Sequence, residues 1–147
     1  MDNSYLAGFF DGEGCIGIRK TFRRQRKGKN VWHIANISCC QSNLPNKSPI
    51  ILEFKKKFGG SITLEKPKKA KEVIRWSLQG RKLVETFLNN LEPYFIVKKP
   101  HTAILRLFLN ENRTNHSPVR LTTEQINIRE KLYLQMKELN QRGKIII

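Results

Sequence analysis

The stretch that decides the fold is SYLAGFFDGEGCIGIRK, residues 4–20. Its first half fits a helix over about residues 4–11, which any of three polar residues at its start can cap and a following glycine can end. Its second half alternates in the manner of a strand. Asp11 and Glu13 fall at the end of this helix, where the helix dipole disfavours acids by roughly 0.3–1 kcal/mol. The placement is unusual because the whole chain carries a formal charge of +16.

Two interpretations fit these acids. A bound cation would reverse the unfavourable electrostatics, and carboxylate oxygens suit Mg²⁺ or Ca²⁺. Alternatively, both are ordinary turn residues, since Asp-Gly is a common turn dipeptide. Gly8 and Gly12 share one face of the same helix, although glycine inside a helix costs about 1 kcal/mol relative to alanine. Their spacing therefore predicts the close approach of another helix.

The length and composition of the chain limit its class. A chain of 147 residues with 39% apolar content predicts a single domain, 1–147, with one core. Because the sequence shows neither a membrane-length apolar run nor a signal-peptide pattern, we expect an intracellular protein. Cys15, Cys39 and Cys40 form no CxxC pair, the histidines have no metal-site spacing, and we interpret both sets as packing residues.

Basic residues dominate the charge. There are 28 Lys and Arg against 12 acids, and the basic residues are densest in 19–29 and 55–71. Such a field attracts polyanions and predicts nucleic acid as the partner. An acidic membrane surface usually requires a basic amphipathic helix, whereas the basic region here alternates like a strand. A basic face that is merely solvated is the remaining alternative.

The rest of the chain alternates hairpins and helices. Residues 15–26 and 31–41 predict two strands around a turn at 28–30, and 61–66 with 72–79 predict a second hairpin. This order favours an α+β fold in which an antiparallel sheet carries helices on one side. Further helices are predicted over 48–60, 80–91, 100–110 and 122–143.

Local patterns refine three of these elements. Thr122 and Gln125 predict a capping box for the last helix, and Gly143 predicts its end. Alternation in the second strand predicts that His33, Ala35, Ile37 and Cys39 face inward. Helical spacing in 80–91 predicts one buried stripe of Leu83, Val84, Phe87, Leu88 and Leu91.

The nine residues LAGFFDGEG, 6–14, resemble the signature of the LAGLIDADG homing endonucleases. The match keeps the leucine, the alanine, three glycines and the first acid, with Glu13 as the second acid. The order of helices and hairpins extends the resemblance to about residues 4–100, with a less telling helical segment over about 101–143. The resemblance implies an αββαββα fold, a saddle-shaped antiparallel sheet with helices on one face, plus C-terminal helices.

The resemblance also implies an active site. Glu13 would bind a divalent metal, Mg²⁺ with Mn²⁺ or Ca²⁺ able to occupy the same place, and the Gly12 carbonyl would be a neighbouring ligand. The metal would polarise the scissile phosphate and lower the pKa of a bound water. Gln41 would line the site. Lys98 would stabilise charge or poise the attacking water, with Lys99 as a competitor for that role.

A single copy of the motif resembles the homodimeric members of this family. The motif helices would then pack together at a two-fold axis, which accounts for the glycine spacing, and two active sites would give staggered cuts. The first acid of the motif would mainly support the helix end. The predicted dimer interface consists of Leu6, Ala7, Gly8, Asp11 and Gly12.

Each predicted hairpin is a two-stranded ribbon of the size that fits the DNA major groove. Arg side chains favour guanine, Asn and Gln favour adenine, and Glu65 could accept from cytosine. The lysines of the second hairpin, including Lys71, would contact phosphate. The predicted DNA contacts are Arg19, Thr21, Arg23, Gln25, Arg26, Trp32, Asn36, Ser38, Ser61, Thr63, Glu65, Lys66, Lys68, Lys69, Arg75 and Ser77.

The leading hypothesis is a homodimeric homing endonuclease that makes metal-dependent double-strand breaks in a long, pseudo-palindromic DNA target. The alternative is a nucleic-acid binding module on the same scaffold, an intron maturase or a repressor. A basic structural protein of an RNA particle is a third possibility. We expect no small-molecule substrate and no membrane partner. The expected location is a bacterial or archaeal cytoplasm, or an organelle of an intron-bearing host.

Overall fold

A computed structural model describes residues 1–25, 28–42, 48–111 and 121–141, with only the backbone at 23–25 and 28–30. Five helices and four strands follow one another in the predicted order, which confirms the α+β fold class. The helices are α1 (Asn3–Glu13), α2 (Pro49–Phe58), α3 (Arg81–Leu91), α4 (Lys99–Glu111) and α5 (Thr123–Leu139), and a 3₁₀ turn spans Glu92–Tyr94. The strands are β1 (Gly14–Gln25), β2 (Gly28–Ser42), β3 (Ser61–Glu65) and β4 (Val73–Gln79).

The four strands form one antiparallel sheet in the order β1-β2-β4-β3. The β1–β2 ladder is longer than predicted, because Gln25 pairs with Gly28 and Arg23 pairs with Asn30. The turn predicted at 28–30 is therefore wrong, since those residues continue the ladder as part of β2. Arg26 lies outside the described residues.

The core lies between one face of the sheet and the helices. Ile16, Ile37 and Trp76 project from that face and are fully buried. Phe54 of α2 stacks on Trp76 with ring centroids 5.0 Å apart, and Phe87 of α3 contacts both rings. Burying one such side chain contributes about 1.5–3 kcal/mol, so this aromatic cluster anchors the helices to the sheet. The inward face predicted for β2 is confirmed, since His33, Ala35, Ile37 and Cys39 are all buried.

Local sequence signals fix the helix ends. Asp2 caps α1 by accepting a hydrogen bond from the amide of Tyr5 at 2.8 Å. The capping box of Thr122 and Gln125 is confirmed at the start of α5. That helix ends at Leu139, before the predicted end at Gly143, which lies outside the described residues. Across the described ranges, no helix combines the length and apolar content needed to cross a membrane.

One residue of the α3 stripe departs from the prediction. Val84, Phe87, Leu88 and Leu91 are fully buried, whereas Leu83 is 45% exposed. The four buried residues already complete an i, i+3, i+4, i+7 stripe. The helix rotation that buries Val84 leaves Leu83 at the margin of the stripe, where it faces solvent.

Candidate active site and nucleic-acid interface

The junction between α1 and β1 positions the acid predicted to bind metal. Glu13 is the last residue of α1, and both Glu13 and Gly12 are exposed. Gly14 follows at once and pairs with Cys39 of β2. A Cβ added to Gly14 would lie 2.5 Å from the Phe10 ring, so only glycine allows this tight passage from helix to strand. The backbone at Glu13 is thus tied directly to the core.

Asp11 has a structural role that the sequence did not reveal. Its carboxylate accepts hydrogen bonds from three successive amides, those of Ile96, Val97 and Lys98, at 2.8 to 3.0 Å. Burial is the largest single influence and raises the pKa of Asp11, but the three amide bonds together outweigh it and the pKa is lowered. These amides precede α4, so Asp11 satisfies donors at the start of one helix from the end of another.

This arrangement fixes Lys98 beside the end of α1. Its amide binds Asp11, and its carbonyl accepts from the amide of Thr102 at 3.0 Å, which begins α4. The Lys98 residue is half-buried, whereas Lys99 is exposed. Of the two lysines, Lys98 has the backbone position determined by the motif helix.

Gln41 lies at the same end of the sheet. It is the penultimate residue of β2 and is exposed, two residues beyond Cys39, which pairs with Gly14. The Ser48 hydroxyl donates to its side-chain oxygen, and no hydrogen bond from the amide NH₂ group to another residue of the described ranges is present. Glu13, Gln41 and Lys98 thus lie on three segments joined by the Gly14–Cys39 pair and the Asp11–Lys98 hydrogen bond, and we call this region the catalytic edge after the roles that the sequence predicts for these residues.

His101 is a neighbour of the catalytic edge that sequence reasoning did not select. It is half-buried, and no described residue bonds its buried Nδ1 atom. Burial, followed by the positive charge of Lys98, lowers the pKa of His101, while a hydrogen bond with Asn140 opposes the shift. Asn140 also donates to the carbonyl of Ile16 at 2.9 Å, so the end of α5 is tied to both α4 and β1.

The oxygen atoms at the catalytic edge fit a divalent cation whose remaining ligands come from water and from a phosphate of the bound nucleic acid. In the described part of the chain, no three His, Cys, Asp or Glu side chains converge as a closed metal cage. Mg²⁺ characteristically takes one or two carboxylates and completes its shell with water and substrate phosphate. The exposed Glu13 carboxylate with the adjacent Gly12 carbonyl matches that requirement for one protomer.

The face of the sheet opposite the helices, which we call the outward face, carries most of the predicted DNA contacts. Register places Ser77 beside both Ser38 and Ser61, and Arg75 beside Thr63, as alternation predicts. Ser38 departs from the prediction because its neighbours leave it only 6% exposed. The side chains of Arg23 and Gln25 lie outside the description. The other predicted contacts on this face are at least partly exposed: Arg19, Thr21, Trp32, Asn36, Ser61, Thr63, Glu65, Arg75 and Ser77.

The ends of the β3–β4 hairpin add basic and polar groups. Lys66, Lys68 and Lys69 are exposed in the connecting turn. Gln79, which sequence reasoning omitted, donates to the side chain of Asn36 at 3.2 Å across the β2–β4 pair. The alternation through residues 73 to 79 could have identified it, since it continues the outward positions of β4.

The exposed side of α1 differs from the predicted dimer interface. Leu6 and Ala7 are fully buried in the core of the protomer, so they are not available to a second copy. Gly8 and Gly12 are exposed, and nothing lies within 4 Å of a Cβ added at either position. Tyr5 shares their helix face and is 60% exposed.

Two apolar residues adjoin that face. Ile96 is 80% exposed and Val97 is 64% exposed, although both belong to the segment that Asp11 binds. Sequence reasoning did not select them, because their position next to α1 follows only from contacts made 85 or more residues away. The result is an apolar surface centred on two bare glycines, formed by Tyr5, Gly8, Gly12, Ile96 and Val97.

An exposed basic and polar sheet face beside an acid, an amide and a lysine is typical of an α+β protein that acts on DNA. The chain belongs to the LAGLIDADG endonuclease family, whose model matches residues 6–108. This membership confirms the resemblance seen in the motif at residues 6–14. A single motif also agrees with the length of the chain.

Solved structures share the fold. The homing endonuclease I-CvuI, in complex with a DNA target, has a TM-score of 0.74 at 21% identity, covering 99% of this chain and 85% of that chain. The archaeal intron-encoded endonuclease I-Vdi141I, complexed with DNA, gives 0.74 at 21%, covering 99% and 87%. The homing endonuclease I-TnaI gives 0.71 at 20%, covering 97% and 92%. Comparison with curated protein sequences gave no match.

Proposed function

We propose that the protein is a site-specific DNA endonuclease that acts as a homodimer and cuts both strands of its target with a divalent cation. The observation that carries the proposal is the linkage of the segments that hold Glu13, Gln41 and Lys98, through the Gly14–Cys39 pair and the Asp11–Lys98 hydrogen bond, next to the outward face. Family membership supports the same class of activity. The neighbours I-CvuI and I-Vdi141I were each solved with DNA, and I-CvuI was solved in the presence of Mg²⁺ or Ca²⁺.

Each group at the catalytic edge suits one part of phosphodiester hydrolysis. The Glu13 carboxylate and the Gly12 carbonyl would hold the cation, which when bound polarises the scissile phosphate and lowers the pKa of the attacking water. Lys98 supplies a positive charge that can stabilise negative charge developing on the phosphate. The NH₂ group of Gln41 can donate to a phosphate oxygen or orient a water. Asp11 acts on none of these atoms and serves as a positioning residue for Lys98.

The apolar surface around Gly8 and Gly12 supports the homodimer. Bare glycines on a helix face let a second helix approach nearly to backbone contact. Ile96, Val97 and Tyr5 surround that contact with exposed apolar area, whose burial would favour association. A dimer that meets on this surface would bring two Glu13 carboxylates close together, one for each DNA strand.

The proposal is tested by removing one carboxylate. If the reading frame lies in an insertion within a host gene, the natural substrate is the same gene without the insertion, at the point where the two flanking sequences join. Wild-type protein should cut a duplex that spans this junction in Mg²⁺ and should bind without cutting in EDTA. Glu13→Gln should bind the duplex with similar affinity and cut on the order of 10³-fold more slowly, because the cation loses its charged ligand. Glu124→Gln removes an equivalent charge from the exposed start of α5 and should cut normally.

The outcomes separate the candidate functions. Normal cleavage by Glu13→Gln in Mg²⁺ would contradict the assignment of the metal ligand. Binding by the wild type without cleavage in any divalent cation would favour a maturase or repressor on the same scaffold. Sedimentation of the active species as a monomer would contradict the homodimer.

A further inference from the structure

Arg75 occupies the centre of the outward face. It lies on β4, where it pairs with Cys40 of β2 on one side and with Thr63 of β3 on the other. Strands therefore support it from both sides. Its side chain is 36% exposed, enough to be reached by a ligand without being free to swing into solvent.

Glu65 holds the guanidinium group of Arg75 in place. Arg75 Nε donates to Glu65 Oε1 at 2.9 Å, and Arg75 Nη2 lies 3.5 Å from Glu65 Oε2. Glu65 pairs with Val73, so it reaches Arg75 diagonally across the hairpin. The hydrogen bond to Glu65 is the largest cause of the raised pKa of Arg75.

Glu65 places a negative charge on a surface proposed to bind DNA, and this charge lowers the affinity for DNA. Among the outward strand positions whose side chains the structure describes, it contributes the only carboxylate. A negative charge on this face repels phosphate and weakens binding to every DNA sequence equally. Such a charge is useful if it raises discrimination between sequences by more than it lowers general affinity.

We propose that Glu65 is a positioning residue that orients Arg75 to read one guanine in each half of the DNA target. The inference rests on the proposed function and replaces the prediction that Glu65 contacts a cytosine itself. With Nε and one side of Nη2 directed at Glu65, the edge formed by Nη1 and Nη2 remains for a ligand. Two donors on one edge match the O6 and N7 acceptors that guanine presents in the major groove.

Arg19 provides the internal contrast. It lies on the same face in β1 and is exposed, and it has no ion pair with any residue in the described ranges. An arginine side chain that no ion pair orients suits phosphate contacts, which add affinity without sequence information. The two arginines carry the same charge on one surface, so a difference in their effects isolates the contribution of Glu65.

The test uses the full chain and a library of DNA duplexes randomised across the length of the predicted site. Bound duplexes are selected in Ca²⁺ and sequenced for the wild type, Glu65→Gln, Arg75→Lys and Arg19→Lys. The wild type should enrich guanine at one position in each half of the site. Glu65→Gln and Arg75→Lys should lose roughly tenfold discrimination at that position alone. Arg19→Lys should leave the guanine preference at that position unchanged.

A second measurement distinguishes orientation from simple charge. Glu65→Gln should bind duplexes of unrelated sequence more tightly than the wild type, because a repulsive charge has been removed. Glu85→Gln breaks an equivalent ion pair with Arg81 on α3 and should change neither property. Melting temperatures of all variants report whether the fold is intact.

Three results would overturn the inference. Unchanged base preferences in Glu65→Gln, with guanine lost only in Arg75→Lys, would show that Arg75 needs no positioning. Loss of a cytosine preference at a different position would show that Glu65 reads a base directly. Retention of the guanine in Arg75→Lys would show that another residue reads it. If the wild type selects no sequence at all, the proposed function fails instead.

Discussion

The catalytic edge and the outward face differ in how their side chains are held. At the edge, the Asp11 carboxylate binds three consecutive backbone amides, and the Ser48 hydroxyl donates to the Gln41 side chain, so both side chains have bonded partners within the protein. On the outward face most polar groups are exposed, and the side-chain bonds described there join Glu65 to Arg75 and Asn36 to Gln79. These side chains at the edge are therefore held by hydrogen bonds within the protein. On the outward face, most of the described polar side chains are exposed and could adjust when DNA binds.

The proposed function would account for this difference. Stabilising a transition state requires charges fixed in advance, because reorganising them during the reaction would consume their benefit. Contacts with phosphate tolerate adjustment, since a long basic side chain can find its partner after binding. Variants at the edge should therefore alter the rate of cleavage. Variants on the helix-covered side of the sheet, away from the edge, should alter stability alone.

After Glu13, the largest expected effect is at Lys98. Lys98→Met should slow cleavage by roughly 10²–10³-fold with little change in DNA affinity, because it removes a charge that acts mainly in the transition state. Lys99→Met removes a charge from the neighbouring exposed position. Single-turnover cleavage assays should give near wild-type rates for that control. Equal losses in both variants would show that the two lysines contribute only general electrostatic attraction.

Two glycines of the motif should separate folding from assembly. Gly14→Ala should destabilise the protomer by about 1–3 kcal/mol, because the new methyl group would overlap the buried Phe10 ring. No atom lies within 4 Å of a Cβ added at the exposed Gly8, so Gly8→Leu should keep the melting temperature of the isolated chain. Sedimentation should instead show that Gly8→Leu weakens the dimer. A stable dimer of Gly8→Leu would mean that the subunits meet elsewhere.

Asp11 links stability to pH in a defined direction. Its folded-state pKa is lowered from the ordinary value of 3.8, so its contribution is complete above that pH and is lost as pH falls through the folded pKa. Asp11→Asn should cost about 1–2 kcal/mol at pH 7, because a neutral amide with one acceptor oxygen replaces the charged acceptor of three backbone N–H groups. Urea unfolding should show this difference shrinking below about pH 4.

Asp2 is the matched control for Asp11. It caps α1 through a single amide, that of Tyr5, at an exposed position. Asp2→Asn should cost a few tenths of a kcal/mol, since Asn is an equally good cap, and cleavage should be unaffected. A slower cleavage rate in Asp11→Asn but not in Asp2→Asn would confirm that Asp11 positions Lys98. Equal rates in both would remove that role.

A small effect, on stability alone, is expected where α5 packs against the sheet. Glu130 of α5 accepts from Lys20 at 2.8 Å and lies 2.8 Å from Nε2 of the buried His33, and the Lys20 bond is the main cause of its lowered pKa. Glu130→Gln should lower the free energy of unfolding by about 1 kcal/mol and leave the cleavage rate unchanged. Chemical denaturation and cleavage assays on one preparation check both. A change in cleavage would show that α5 docking controls the catalytic edge.

Sequence reasoning was successful where the outcome depended only on neighbours along the chain. The alternation of β2 assigned its inward residues correctly, because successive side chains of a strand point to opposite faces. The capping box at Thr122 needed only residues three apart. The turn at 28–30 and the burial of Leu83 were wrong for a related reason, because ladder length and helix rotation depend on the partner element.

The sequence by itself determined the periodicities, the caps and the motif at residues 6–14, because these depend on neighbours along the chain. Only the tertiary structure decided which partner Asp11 has, since the amides that it binds lie 85 to 87 residues away. It likewise buried Leu6 and Ala7 and exposed Ile96 and Val97 beside the bare glycines. Hydrogen bonding and burial depend on distance in space, and the path of the chain sets that distance only once the sheet and its helices have packed.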